Sequence, residues 1–370
     1  MKLVSILSVL VFFIGLQSCK KDIIDPVEPF VECDTNDVIL NEHSIEGYAD
    51  RESYFPGDSV YLKIHSNNGF CDIEVSRHGE NDVIVFSETD IAVSQQNYNC
   101  RSYSFGCNWE TTYAFKIEDA ATSGIYTIRL FDDSNNFFYI SFVVKGIGSE
   151  TFAVIANTNT WEAYNGWGGH SFYQYDLSEQ LSRSEIVSFD RPNIATDPSG
   201  TKGHLLEAEL HLLRWMETKG YGHHLVSDRD LHDGLVDLSN YETVVLNVHP
   251  EYWTKEMRVA LAAFVEGGGN IINLGANAIY WKTGIAGNRI EKRVQTTTFY
   301  LQPNETGGLW KNNGFPESDL LGVAYDTRGY NTYHPYEVKN ANHWVFNGTG
   351  LVNDNTFGEF SLNGGGSFRS

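Results

Sequence analysis

Short runs with alternating apolar and polar residues dominate the chain from Cys33 to about Gly146. Three runs show the two-residue period of a half-buried strand, and a fourth is almost wholly apolar. They are Ser59–His65, Ile73–Arg77, Tyr126–Leu130 and Phe138–Val144. Turn-forming pairs precede the first and third runs, at Pro56-Gly57 and Ser123-Gly124. This pattern predicts an antiparallel, immunoglobulin-like β-sandwich domain over residues 33–146.

The hydrophobic period changes after Gly146. Apolar strands now alternate with segments whose apolar residues recur at helical spacing. The predicted strands are Phe152–Ala156, Thr243–Val248 and Asn270–Gly275, and the predicted helices are His204–Lys219 and Thr254–Glu266. Alternation of this kind is typical of a mainly parallel sheet with helices on both faces. We therefore expect an α/β domain over 147–370, with β-rich additions downstream of Gly284.

The first residues have the pattern of a secretory signal. Lys2 is followed by an uncharged apolar run, Leu3–Leu16, which is short for a membrane-spanning helix. The run ends in Leu16-Gln17-Ser18-Cys19, which resembles a bacterial lipobox. We expect a signal peptide over 1–18, lipidation of Cys19, a tether over 19–32, and an outer-membrane lipoprotein of the cell envelope, periplasmic or surface-exposed.

The other four cysteines all lie in the predicted β domain. An even set of cysteines in an oxidising compartment predicts two disulfides. Of the three possible pairings we favour Cys100–Cys107 with Cys33–Cys71. A zinc site is the alternative, but it would require close pairs of cysteines or histidines.

Composition limits the classes of partner. Apolar residues make up 41% of the chain and aromatic residues 14%, which is enough to build packed cores. The net charge is -22, and Lys20-Lys21 is the longest basic run. Because nucleic-acid binding needs a basic surface patch, we expect no nucleic-acid partner.

Candidate chemistry lies just after the predicted strands of the α/β domain. His249-Pro250-Glu251 follows one strand, Tyr164 lies in an aromatic, glycine-rich loop after another, and Asn277 follows a third. Ligands bind at the carboxyl ends of strands in open α/β sheets, so these side chains are candidates for a common site. The turn after Val248 contains neither Ser nor Cys, which argues against a covalent acyl-enzyme there.

Six segments together resemble the C-terminal region of the large (beta) subunit of N,N-dimethylformamidase. They are Asn159–Gly169, Ser188–Pro192, His249–Trp253, Leu274–Asn277, Pro316–Val323 and His343–Leu351. The resemblance implies a glutamine-amidotransferase-like (flavodoxin-like) α/β fold. It also implies hydrolysis of the C–N bond of amides at a mononuclear iron, Fe³⁺, held by two Tyr and one Glu.

The resemblance assigns roles to individual residues. Tyr164 and Glu251 correspond to metal ligands, and His249 and Asn277 would act beside them in catalysis. The second Tyr ligand of the family follows an Arg-Pro pair, where this chain has Asn193. Phenolates and carboxylates are hard anionic donors suited to a ferric ion, so an Asn in that place predicts weak or absent iron and low activity.

Two functions remain open at this point. One is a metal-dependent amide hydrolase that binds a small amide, with Asn193 near the substrate. The other is a non-catalytic cell-surface binding lipoprotein whose aromatic cleft takes a glycan-like ligand. The residues expected to bind the ligand in that cleft are Trp161, Trp167, Tyr252 and Trp281.

Overall fold

The structure is a computed structural model that describes residues 38–39, 43–173, 182–199, 205–325 and 335–358. The described residues of the first half form ten strands and one short helix, α1 (Ser102–Phe105). The strands are β1 (Val38–Ile39), β2 (Ile45–Ala49), β3 (Ser53–Tyr54), β4 (Ser59–Ser66), β5 (Phe70–His78), β6 (Val83–Ala92), β7 (Tyr98–Asn99), β8 (Tyr113–Lys116), β9 (Gly124–Phe131) and β10 (Phe137–Val144).

Two sheets of this half form a sandwich. One has the order β3-β10-β9-β5-β6 and the other the order β2-β4-β8. Alternate residues of both sheets share one core, in which Leu62 of β4 and Ile128 of β9 are fully buried. The four predicted strand runs all lie within β4, β5, β9 and β10. The pairing is antiparallel except between β3 and β10, which run parallel.

The described residues of the second half form thirteen strands and five α-helices. The helices are α2 (Thr158–Ala163), α3 (Leu206–Thr218), α4 (Asp228–His232), α5 (Lys255–Glu266) and α6 (Ser318–Leu321). The strands are β11 (Glu150–Ala156), β12 (His170–Ser171), β13 (Ser182–Arg183), β14 (Ile186–Ser188), β15 (His223–Ser227), β16 (Tyr241–Leu246), β17 (Tyr252–Trp253), β18 (Asn270–Asn273), β19 (Trp281–Ala286), β20 (Arg289–Lys292), β21 (Gly308–Leu309), β22 (Tyr336–Glu337) and β23 (Thr356–Phe357).

A four-stranded sheet with the order β15-β11-β16-β18 forms the centre of this half, and all its pairs are parallel. Its two faces follow from the alternation of side chains along each strand. Ala153 and Ile155 of β11 share a core with α5, whereas Val154 and Ala156 share a core with α3. The predicted parallel sheet with helices on both faces is present, while the glutamine-amidotransferase-like arrangement remains a prediction.

A second sheet lies beside the first. Two of its strands, β20 and β21, fall in the β-rich additions expected downstream of Gly284, whereas the sequence pattern did not predict β14 and β17. Its order is β14-β20-β19-β17, with β21 paired to β19. It joins β17, directly after the His-Pro-Glu turn, to the hairpin of β19 and β20. This sheet therefore brings Trp281 and Lys292 close to the carboxyl end of the parallel sheet.

The preferred disulfide pairing is wrong. Cys71 and Cys107 are free, buried thiols, whereas Cys100 is disulfide-bonded. Cys71 lies in the sandwich core, and Cys107 packs beside Tyr48 and Trp109 in a separate cluster. Each thiol is enclosed by apolar neighbours of its own cluster, so the even number of cysteines did not predict which of them pair.

The expectations about the N-terminal residues concern residues outside the described ranges. The signal peptide (1–18), the lipidation site Cys19, the tether (19–32) and Cys33 all belong to this part. No helix in the described part of the chain is long and apolar enough to cross a bilayer.

Candidate functional site

The site begins where β16 ends and the chain turns sharply. The turn consists of Asn247-Val248-His249-Pro250-Glu251. Two backbone hydrogen bonds in it each join a residue to the one two positions earlier. His249 N–H donates to Asn247 O at 2.7 Å, and Glu251 N–H donates to His249 O at 2.8 Å. Val248 has a φ of 50°, which is strained for a β-branched residue. Strain of this kind persists where surrounding contacts hold it, and it clusters at functional sites.

The structure brings together Tyr164, His249 and Glu251. His249 Nε2 lies 2.9 Å from Glu251 Oε2 and 3.3 Å from the hydroxyl of Tyr164. All three residues are buried. Tyr164 caps the C-terminal end of α2, which follows β11, so two neighbouring parallel strands deliver these side chains to one point.

Two further aromatic residues bind the Glu251 carboxylate. The hydroxyl of Tyr173 donates to Glu251, with Oε1 at 2.9 Å and Oε2 at 3.0 Å. The indole of Trp281 donates to Oε1 at 3.1 Å. Tyr252 in turn donates its hydroxyl to that of Tyr173. Sequence reasoning did not assign Tyr173, although the aromatic run Phe172-Tyr173 at the end of the Tyr164 loop was a signal.

Neighbouring charges and hydrogen bonds keep the buried carboxyl group of Glu251 ionised. Burial alone would raise the pKa of this carboxyl, but His249, the Tyr173 hydroxyl and Lys292 together hold it below its usual range. Burial raises the pKa of Tyr173 and of Tyr252 well above the usual phenol value, and the Glu251 charge adds to this effect. Without a bound cation, these two phenols therefore stay protonated.

Lys292 is a second residue that the sequence did not single out. Its Nζ donates to Phe172 O at 3.1 Å and lies 4.6 Å from the ring centroid of Tyr173 and 4.9 Å from that of Trp281. Burial lowers its pKa to about 8. Its ammonium group supplies positive charge beside a cluster of acidic and phenolic groups.

Asn277 lies on a loop whose backbone donates hydrogen bonds to the backbone of the turn that contains His249 and Glu251. Ala276 N–H donates to Val248 O at 2.8 Å, and Ile279 N–H donates to Pro250 O at 2.8 Å. Asn277 has a φ of 52°, and its buried Oδ1 has no hydrogen-bond partner among the described atoms. This amide is therefore at the edge of the site with a buried acceptor still to be satisfied.

The structure places Asn193 in a different group of contacts. Its Nδ2 donates to Glu162 Oε2 at 3.3 Å, and its Oδ1 accepts from Ala195 N–H at 2.8 Å. Arg191 pairs with Glu162 through Nε, at 2.6 Å. Burial raises the pKa of Glu162 to about 7, although Arg191 opposes the shift. Among the described contacts, none joins Asn193 to His249 or Glu251.

The four residues of the expected aromatic cleft do not share one surface. The indole of Trp161 donates to Glu209 at 2.8 Å beneath α3, and that of Trp167 donates to Glu46 at 2.8 Å in the cluster next to the sandwich. Both tryptophans are about 3% exposed. Tyr252 and Trp281 are register partners on β17 and β19 and do lie together.

The donor set suits a hard cation. No group of three His, Cys, Asp or Glu residues that could hold a metal occurs in the described ranges. The site instead offers the carboxylate of Glu251 with the phenols of Tyr164 and Tyr173. Oxygen donors of this kind match a ferric ion rather than the thiolate and imidazole sets typical of zinc.

The phenols, imidazole and carboxylate lie in loops at the carboxyl end of a parallel sheet, which is where open α/β proteins bind their ligands. The family model described as N,N-dimethylformamidase beta subunit-like, C-terminal, matches residues 72–364. The chain belongs to this family.

Curated relatives agree with this assignment. The N,N-dimethylformamidase beta subunits of Paracoccus aminophilus and of an Alcaligenes species are each 23% identical to the chain over 318 residues. The match covers 70% of this chain and 41% of each relative. The chain thus spans less than half of the length of these proteins.

Among solved structures, a cycloisomaltooligosaccharide glucanotransferase of a Paenibacillus species matches 73% of this chain and 33% of its own, at 9% identity and a TM-score of 0.18. A TM-score this low carries no argument about fold or function.

Proposed function

We propose that this protein hydrolyses the C–N bond of small amides at the cluster of Tyr164, His249 and Glu251. The observation that carries the proposal is the buried contact of His249 Nε2 with both Glu251 Oε2, at 2.9 Å, and the Tyr164 hydroxyl, at 3.3 Å. An imidazole fixed between an anionic carboxylate and a phenol is suited to proton transfer. Family membership supports the same class of reaction.

In the proposed reaction, Glu251 orients the imidazole of His249. His249 takes a proton from the attacking water at the ring nitrogen that does not face Glu251 and returns it to the departing nitrogen, so that water and amide become acid and amine. Asn277, with its buried Oδ1, would accept a hydrogen bond from an incoming polar group. The surrounding aromatic residues exclude bulk water, which strengthens these electrostatic interactions.

We further propose that iron takes part, with Tyr164 and Glu251 among its ligands. A hard cation bound there would polarise the amide carbonyl and lower the pKa of a bound water. The donor set of phenols and one carboxylate supports this proposal more than it would support zinc or copper.

The test is amine release from N,N-dimethylformamide and other small N-substituted amides by the purified full chain, with and without added iron. We expect His249→Asn and Glu251→Gln to abolish release, because each removes one partner of the buried contact. The exposed residues His211 and Glu242 provide matched control variants, His211→Asn and Glu242→Gln, which should leave the rate unchanged. Equal rates in the site variants and their controls would refute the proposed site.

We also propose that the protein is a lipoprotein of the cell envelope. The support is the lipobox-like Leu16-Gln17-Ser18-Cys19 after an apolar run. Stable anchoring needs more than one acyl chain, as in a lipidated N-terminal Cys. Cys19→Ala should move the protein from the membrane fraction to the soluble fraction, and unchanged membrane association would contradict the proposal.

A further inference from the structure

We propose that Tyr173 is the second phenolate ligand of this metal site, in the place that the family pattern gives to the residue after Arg191-Pro192. This inference rests on the proposed function, because it concerns the metal that takes part in it. It differs from the family pattern, in which the position of Asn193 carries the second Tyr. It also reverses our expectation that the chain lacks a third anionic ligand.

The geometry points to Tyr173 through its contact with the one carboxylate of the site. Its hydroxyl lies 2.9 Å from Glu251 Oε1 and 3.0 Å from Oε2, so it faces the edge of the carboxylate that would bind a cation. The rings of Tyr164 and Tyr173 lie close together, with centroids 4.5 Å apart. Two phenols and a carboxylate therefore already converge in the described structure.

The side chain of Asn193 already makes hydrogen bonds outside the cluster of Tyr164, His249 and Glu251. Both polar ends of its amide have partners, Glu162 and Ala195 N–H. The preceding Arg191 fixes the backbone, because its guanidinium donates to Trp167 O at 2.7 Å, to His170 O at 3.0 Å and to Asn165 O at 3.1 Å. A neutral amide held in this way would have to break its own hydrogen bonds to reach Glu251.

Tyr252 is the other phenol that could serve as the second ligand, but it reaches Glu251 only through Tyr173 in the described hydrogen bonds. Its hydroxyl donates to the hydroxyl oxygen of Tyr173, and no described hydrogen bond joins it to Glu251. Tyr252 would therefore orient Tyr173 by donating to its oxygen rather than bind the ion. Partners of this kind tune a ligand without replacing it.

Charge balance supports three anionic ligands. Two phenolates and one carboxylate carry three negative charges, which a ferric ion neutralises. On binding, each phenol O–H bond breaks, its oxygen bonds to iron, and the proton passes to solvent, so iron stays ferric and no other reactant is needed. Lys292 lies over the Tyr173 ring and stabilises the negative charge that this phenol would acquire.

The experiment adds ferric iron to metal-free full-length protein and follows iron content together with the phenolate-to-iron absorption band in the visible range. We compare the wild type with Tyr173→Phe, Tyr164→Phe, Tyr252→Phe and Asn193→Ala. Wild type should bind about one iron per chain and become coloured. Tyr173→Phe should lose about half of the band intensity and bind iron about 100-fold more weakly, since even partners outside the ligand set contribute about 10- to 100-fold.

The controls separate the possible outcomes. Tyr252→Phe removes a phenol from the same cluster and should keep the full band intensity, and Asn193→Ala should match the wild type. Circular dichroism of each variant verifies folding. If wild type binds iron and Tyr173→Phe matches it while Tyr252→Phe loses the band, Tyr252 is the ligand and the assignment is overturned. If folded wild type takes up no iron, the metal-assisted function itself fails.

Discussion

Glu209 is a buried carboxyl group without a cationic partner in the described contacts. It lies on α3 and accepts hydrogen bonds from the Trp161 indole at 2.8 Å and from Asn157 Nδ2 at 3.0 Å. Burial raises its pKa to about 8, and these hydrogen bonds only partly oppose the shift. Near neutral pH this side chain is therefore mostly protonated in the folded protein.

This shift predicts a loss of stability as pH rises. The unfolded chain releases the proton near the ordinary value of 4.5, whereas the folded chain holds it up to about 8. Between these values the folded state binds more protons, so the free energy of unfolding falls as pH rises. The full effect is on the order of 5 kcal/mol above pH 8, at about 1.36 kcal/mol per pKa unit.

Glu209→Gln removes the titration but keeps an acceptor oxygen. We expect its stability relative to wild type to increase steadily from about pH 5 to about pH 8 in urea unfolding experiments. Glu207→Gln, a neighbour on α3 that is not fully buried, is the control. A stability difference that does not depend on pH would disprove the assignment of a neutral Glu209.

The sequence predicted some of the individual residues of the candidate site. Tyr164, His249 and Glu251 could be predicted because each lies in the connection that follows a strand of one parallel sheet, and strand ends meet at one edge. Tyr173 and Lys292 could not, because they reach the site through the second sheet and a loop whose course depends on tertiary contacts. The family resemblance drew attention to Asn193, whose described contacts are with Glu162 and Ala195, whereas the phenol that contacts Glu251 is Tyr173.

Among the elements, α5 has the clearest local explanation. It begins after Thr254, whose hydroxyl accepts from Met257 N–H at 3.4 Å and also lies 3.0 Å from His232 Nδ1 of α4. Met257, Leu261 and Phe264 then recur at helical spacing and are buried against the sheet. Periodicity and capping therefore agree, and the sequence predicted this helix to within one residue.

Loss of this cap should weaken the fold locally. Thr254→Ala removes the hydroxyl that accepts from Met257 N–H at the start of α5, and we expect it to lower the free energy of unfolding by about 1–2 kcal/mol. Thr254→Ser keeps the hydroxyl and should recover most of the loss. Guanidinium unfolding of the three proteins tests this, and equal midpoints for the alanine and serine variants would contradict it.

Other elements escaped prediction for physical reasons. Strand β6 exposes Val83, Ile84 and Val85 at the edge of its sheet, so it lacks the alternation of a strand with one buried face. Strands β19 and β20 are short and stabilised by pairing with β17 and β14, which are distant in sequence. Hydrophobic periodicity in the sequence detects an element that buries one face. It misses a strand that is stabilised mainly by pairing with strands distant in sequence.

At the scale of the molecule, a buried ion pair joins the sandwich to the α/β half. Lys145, just after β10, donates to Asp230 of α4 at 2.6 Å, and both side chains are almost fully buried. Ser53 also donates to Asp230, at 2.7 Å. Asp230 in turn accepts from Ser227 at 2.6 Å in the cap of α4. One carboxylate therefore links the last strand of the sandwich to the first turn of a helix in the other half.

Lys145→Met should destabilise the protein because it leaves Asp230 buried without its cation. Breaking a buried pair in this way costs about 3–5 kcal/mol, whereas replacing both charges can be nearly neutral. We therefore expect the double variant Lys145→Met/Asp230→Asn to regain part of the loss, with Asn still able to accept from Ser53. Denaturant unfolding followed by tryptophan fluorescence and by circular dichroism measures this. If the single variant is as stable as wild type, the ion pair does not contribute to holding the two halves together.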